Sequence, residues 1–173
     1  MVTTSAGILL YRVDPGGGVT VLVAHMGGPF WAAKDAGAWS IPKGEYDPDA
    51  EAPLDAAKRE FREELGVDAP VGGYAELGTF AYSSGKRVTV FVADGAAFTA
   101  SDFEFGEFEL EWPPRSGRTQ RFPEVDRAEW MPVDAARERL VKGQRPALDR
   151  LASLLTQGES SLLTQGKSPT QDV

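Results

Sequence analysis

The sequence has no cysteine and a single histidine, His25, among 173 residues. Without cysteine there is no disulfide, no thiolate nucleophile and no thiolate metal site. With one histidine, a Ser-His-Asp triad or a histidine-rich zinc centre would rest on His25 alone. Long apolar runs are missing too, and none approaches the roughly 20 residues of a membrane span. The opening MVTTSAGILLYRV has no basic start and reads as a first strand, with no sign of a secretory leader. Positive charge is in deficit: 18 Lys and Arg stand against 26 Asp and Glu, a net charge of −8. That balance argues against nonspecific binding to nucleic acid or to an anionic membrane. A phosphate-bearing ligand would need a local cation. The expectation is a soluble, cytoplasmic protein with no stable nucleic-acid partner and no membrane association, its oligomeric state left open.

What is present is ordinary globular material, 42% hydrophobic and 25% charged. The length suits one domain, placed at 1–155, followed by a polar tail at 156–173. Residues 5–13 and 19–25 read as two strands joined by the turn at 15–18, a hairpin. Residues 26–38 form a loop, 39–42 a short extended piece and 43–52 a polar loop. A helix begins at Pro53, which suits a first helical position, and Gly66 suits its stop. Strands are expected at 74–82, 86–93, 103–112 and 129–133, with a loop at 113–121. Helices follow at 134–141 and 145–155, the last with Leu148, Leu151 and Leu155 on one stripe. The hexapeptide SLLTQG occurs at 153–158 and again at 161–166. Two short copies are too few for a solenoid, and the repeat reads as a duplicated terminal segment.

The helix contains Lys58-Arg59-Glu60-Phe61-Arg62-Glu63-Glu64-Leu65-Gly66. At about 100° per residue, Glu60, Glu63 and Glu64 span an arc of roughly 100°. Leu54, Phe61 and Leu65 form a separate apolar stripe, so the helix can bury one face and turn the carboxylates to a neighbouring cleft. Like charges at this spacing cost on the order of 0.2–0.5 kcal/mol on an exposed helix. A solvated face paired with Lys58, Arg59 and Arg62 would explain the charges equally well, so spacing alone establishes no site.

The surrounding residues decide between the two. Gly44, six residues, Glu51, seven residues, then REFREELGV at 59–67 resembles the signature box of the Nudix hydrolases, with one extra residue between Gly44 and Glu51. An insertion there is cheap because it falls in a loop. WSIPKG at 39–44 is similar to the lead-in of hydrolases acting on dinucleoside polyphosphates and diphosphoinositol polyphosphates. GGPFWAAKDAGAWSIPKGEYD and FPEVDRAEW also look like a bacterial group of NTP pyrophosphohydrolases.

The resemblance implies an α/β/α sandwich with a mixed β-sheet. It also implies metal-dependent hydrolysis of a diphosphate bond in a nucleoside diphosphate-linked substrate. Dinucleoside polyphosphates are favoured, then nucleoside triphosphates and nucleotide sugars. The cofactor would be Mg²⁺ or Mn²⁺, which carboxylate oxygens suit. Glu60 and Glu64 would be principal metal ligands and Glu63 a third, and one of these or a more distant glutamate would be the general base. Arg59 would hold Glu51, and the Lys43 carbonyl would reach a metal. Glu124, six residues before Trp130, is a further candidate ligand, with Glu104, Glu107, Glu109 and Glu111 as rivals. Lys43 and Gly44 are candidates for binding phosphate, and Arg121, Lys86 and Arg87 are weaker ones that read more readily as solvated. Phe30 and Trp31 are candidates for stacking on a base, whereas Trp39 and His25 read as structural. Gly44, Glu51 and Gly66 complete the box. The alternative is a noncatalytic nucleotide-sensing module, which in such families usually loses box glutamates.

Overall fold

The first strand is apolar without a break, and the reason lies in where it runs. In the computed structural model, which describes residues 3–82 and 85–157, β1 (Thr4–Val13) is buried on both faces from Ser5 to Tyr11. It pairs in parallel with β6 (Arg87–Asp94). Strands covered on both sides lose the polar alternation. β5 (Ala75–Ala81) lies antiparallel on the far side of β6.

On its other side β1 meets β2 (Val19–Met26) only at Tyr11–Val13 against Val19–Val21. The two strands then diverge, and residues 39–45 fill the gap. β3 (Trp39–Ser40) pairs with β2, and β4 (Lys43–Glu45) pairs with β1. Between them the Ile8 amide donates to the Pro42 carbonyl at 3.1 Å. β9 (Val125–Pro132) closes the outer edge of β2. β7 (Glu107–Glu111) and β8 (Thr119–Pro123) form a separate antiparallel ribbon.

Helices cover both faces. α1 (Pro53–Leu65) sets Ala56, Ala57, Phe61 and Leu65 against Ala6, Ile8, Leu10, Leu22 and Phe91. Burial of Phe61 and Leu65 contributes on the order of 2 kcal/mol each. α2 (Val133–Arg139) and α3 (Arg145–Thr156) cover the opposite face over Leu9, Val21, Val23, Val88 and Val90. The expected α/β/α sandwich with a mixed sheet is therefore present. Among the described residues, no helix is long and apolar enough to cross a membrane.

Several boundaries differ from the sequence expectation. Residues 43–45 are a strand because the divergence of β1 and β2 exposes backbone donors and acceptors on β1. Residues 119–123 are a strand because Phe122 pairs with Phe108 across the ribbon. Residues 103–106 are not strand; the Glu104 amide instead donates to the Leu65 carbonyl at the end of α1. β9 starts at Val125, four residues earlier than expected. On α3 the third buried leucine is Leu154, and Leu155 is half-buried against the same core. The second SLLTQG copy and residues 158–173 of the expected tail lie outside the described residues.

Candidate active site

The carboxylate flank of α1 faces β4, and the packing is close enough to dictate residue type. A β-carbon on Gly44 would collide with the Glu60 carboxylate. A side chain at this position would push the Glu60 carboxylate aside. One residue earlier, the Lys43 amide donates to Glu64 Oε2 at 3.0 Å. Gly66 ends the helix in the left-handed conformation, at φ 71°, and its amide donates to the Arg62 carbonyl at 2.8 Å. A side chain at Gly66 would also strike the Glu104 carbonyl.

Arg59 gathers the rest of the box. Its Nε and Nη2 donate to the two oxygens of Glu51 at 3.0 and 2.9 Å. Its Nη1 donates to Glu60 Oε1 at 2.6 Å and to Glu63 Oε2 at 3.1 Å. The extra residue before Glu51 thus leaves the Arg59–Glu51 fork intact. The guanidinium is held more firmly protonated than usual, chiefly by its hydrogen bond to Glu51. Glu51 is correspondingly pushed down, first by that same hydrogen bond.

Glu124 arrives from another element, in the link between β8 and β9. Its amide donates to the Gly106 carbonyl at 2.8 Å, and its carbonyl accepts from the Gly27 amide at 2.9 Å. Gly106 is small where it passes the Glu63 carbonyl, and a β-carbon there would lie 3.5 Å from Glu124 Oε2.

The electrostatics bind these groups into one site. Burial pushes the Glu64 carboxyl up to about 7, opposed by the Lys43 ammonium and amide and reinforced by Glu124 and Glu60. Glu124 is exposed at the surface and is raised as well, first by partial desolvation, with Glu60 and Glu63 adding to it and Lys43 opposing. Lys43 is lowered, first by burial, with Glu64 opposing. Burial therefore moves Lys43 and Glu64 both towards neutrality. The groups are crowded but not arranged as a finished metal cage: among the described residues, no three acidic or histidine side chains already surround a common point. Glu60 and Glu63 both turn to Arg59.

The remaining candidates lie apart from this cluster. His25 is fully buried, with Nδ1 2.6 Å from Asp126 Oδ1 and Nε2 2.6 Å from the Lys34 carbonyl. Trp39 is buried beside it and donates from Nε1 to Asp35 at 2.8 Å. Arg121 is exposed on the ribbon beside Glu107 and Glu109. Glu104 and Glu111 are exposed as well. Lys86 pairs with Glu45 at 3.3 Å and lies close enough to Lys43 to depress it. Trp31 takes the Lys34 ammonium over its ring at 4.7 Å, and Phe30 meets Trp112 edge-on. Sequence reasoning passed over two participants, the Lys43 amide and Gly106. A main-chain donor carries no signal in residue type, and one glycine among many gives no reason to single it out.

Comparison with known proteins bears on the whole arrangement. The family description that matches is "NUDIX domain", over residues 1–151. No curated protein matches in sequence. Among solved structures, an Ap4A hydrolase from C. elegans in a binary complex superposes with a TM-score of 0.61 at 21% identity, covering 90% of this chain and 99% of that one. The NUDIX domain of NrtR from Shewanella oneidensis, complexed with ADP ribose, gives 0.59 at 14% identity over 90% and 89% of the two chains. A MutT protein from Methanosarcina mazei Go1 gives 0.56 at 20% identity over 87% and 93%. The chain belongs to the NUDIX domain family.

Proposed function

We propose that the protein hydrolyses a phosphoric anhydride bond in a nucleoside diphosphate-linked substrate, dinucleoside polyphosphates and nucleoside triphosphates being favoured, with Mg²⁺ or Mn²⁺ as cofactor. The observation that carries the reading is the crowding of Glu60, Glu63, Glu64 and Glu124 beside Lys43, with Glu64 and Glu124 both raised by desolvation and by one another's neighbours. A set of hard oxygen donors with surplus negative charge fits a hard divalent cation. Glu60, Glu63, Glu64, Glu124 and the Lys43 carbonyl would hold it. Such a cation, when bound, polarises the phosphoryl oxygens and makes water a better nucleophile.

The chain's own residues do the rest. Gly44 lets β4 close on Glu60, and the Lys43 amide fixes Glu64. Lys43 supplies positive charge for a phosphate inside an acidic protein. Arg59 orients Glu60 and Glu63 while anchored on Glu51. Water adds to one phosphorus, the bridging P–O bond breaks, and the water's proton passes to a carboxylate of the cluster. Two phosphorylated fragments leave. Ap4A and ADP ribose, named for two of the structural relatives, are both built on diphosphate-linked adenosine. The setting expected for this reaction is the cytoplasm.

The test is a panel of dinucleoside polyphosphates, nucleoside triphosphates and nucleotide sugars, each with Mg²⁺ or Mn²⁺, resolved by chromatography. Cleavage of one class that requires metal and disappears in a Glu60→Gln, Glu64→Gln variant is the expected result. Equal cleavage by that variant would sink the proposal.

A further inference from the structure

We infer that the β7–β8 ribbon and the Gly27–Trp31 loop together form the subsite for the substrate's base, with Phe30, Trp112 and Phe122 as its walls. The inference rests on the proposed function and says where the base of its nucleoside substrate would be held.

The ribbon has two unlike faces. Glu107, Glu109 and Arg121 alternate with Phe108, Leu110 and Phe122, so charged and apolar side chains stand on opposite sides. The apolar side lies on the loop after β2. Phe108 approaches Gly28, where a β-carbon would come within 3.0 Å of its ring. Trp112 bridges the two, meeting Phe30 at 5.4 Å and 89°, and Phe122 at 6.3 Å and 86°. Rings at right angles make a corner. A planar base can lie flat on one wall and set its edge against the other, both favoured aromatic geometries.

Three observations separate this from simple packing. None of Phe30, Trp112, Phe108 and Phe122 belongs to either core of the sandwich. Phe30 is 54% exposed and is the one exposed aromatic among the described residues. A cluster that served only to tether the ribbon would cover that ring. Finally, the corner lies near the acidic site, because Phe122, in β8, is two residues from Glu124 in the link that follows. The Gly27 amide, at the root of the loop, donates to the Glu124 carbonyl. A base held in the corner therefore leaves its phosphates directed at the glutamates.

The test measures binding, so it stands apart from hydrolysis. Calorimetry on the full chain with Mg²⁺ would compare adenosine 5′-monophosphate with ribose 5-phosphate, which differ only by the base. The parent is expected to prefer the base-bearing probe. Phe30→Ala and Trp112→Leu should each cut that preference by about tenfold, the scale of one lost stacking contact. Phe30→Tyr should keep it. Thermal melts identify a variant that has lost its fold, and the exposed Phe30 position guards against that outcome. Equal binding of both probes by the parent, no binding of either at millimolar concentration, or an undiminished preference in a folded Phe30→Ala protein would overturn the inference. Preference without hydrolysis would sink the proposed function and leave the subsite standing. Hydrolysis without preference would do the reverse.

Discussion

His25 and Glu64 both bring a titratable side chain against the same sheet, and their surroundings are built in opposite ways. At His25 both ring nitrogens meet oxygens at 2.6 Å, and the neighbouring Trp39 indole is matched by Asp35. At Glu64 one amide hydrogen bond and one ammonium face the carboxylates of Glu60 and Glu124, and the carboxyl rises to about 7. A polar cluster in which each ring nitrogen has an oxygen neighbour adds stability and fixes the strands around it. A cluster with surplus charge stores a demand that a ligand can meet, which is the mark of a site. The contrast separates strut from site without reference to residue type, since buried histidine is the more usual suspect.

The largest expected effect comes from removing the surplus. Glu60→Gln with Glu64→Gln should lower kcat by at least about a thousandfold, because the several kcal/mol of transition-state stabilisation that the proposed metal would supply are lost. The same variant should melt close to the parent without metal, since the relieved repulsion is set against a weakened Arg59–Glu60 hydrogen bond. Mg²⁺ should raise the melting temperature of the parent and not of the variant. A variant that melts well below the parent would mean the cluster is a strut after all.

The mirror experiment attacks His25. His25→Ala empties a buried site, removes the ring nitrogen facing the Lys34 carbonyl and leaves Asp126 with Arg127, at 3.5 Å. It should cost about 3 kcal/mol in urea unfolding. Turnover per folded molecule should stay within about twofold of the parent. A large fall in turnover at unchanged stability would break the comparison.

Gly44→Ala probes the approach of strand and helix. The new methyl would displace the Glu60 carboxylate. Misplacement on the scale of 1 Å at a catalytic group costs about a hundredfold in kcat. Steady-state kinetics should show that loss, and activity kept within twofold would mean that Glu60 has room to move.

Much of this was legible in the sequence, and the limits are physical. The stripe of Phe61 and Leu65 and the stop at Gly66 fix α1, because helix periodicity and a left-handed cap are local signals. The glutamates and Arg59 stand on that one helix, so their proximity follows from 3.6 residues per turn. The filling of the gap between β1 and β2 by residues 39–45 is a tertiary event, and KGE carries no strand pattern to announce it. The same holds for β8, whose TQRFP gains its pairing from Phe108 and has little of its own. The corner of Phe30, Trp112 and Phe122 joins residues far apart in the chain. Only the alternation of Phe108, Leu110 and Trp112 hints at one wall of it.

The smallest effect sharpens the comparison within the site itself, at the Arg59–Glu51 fork, where charge is matched and half-exposed. Glu51 lies below its ordinary value of 4.5, chiefly through the Arg59 hydrogen bond. Between the folded value and 4.5, the unfolded chain binds a proton that the folded chain does not, so stability rises with pH across that window. The contribution of Glu51 is therefore complete above about pH 5. It fades as pH falls through the lower folded value. Urea unfolding of the parent against Glu51→Gln should give a difference that is flat near neutrality and shrinks in acid. A difference that stays constant down the acid limb would mean that the fork does not hold Glu51 charged. Salt supplies the second arm: the half-exposed Arg59–Glu51 pair is screened as ionic strength rises, whereas the packing of the fully buried His25 ring is not. In high salt the Glu51 difference should dwindle while the His25→Ala loss persists.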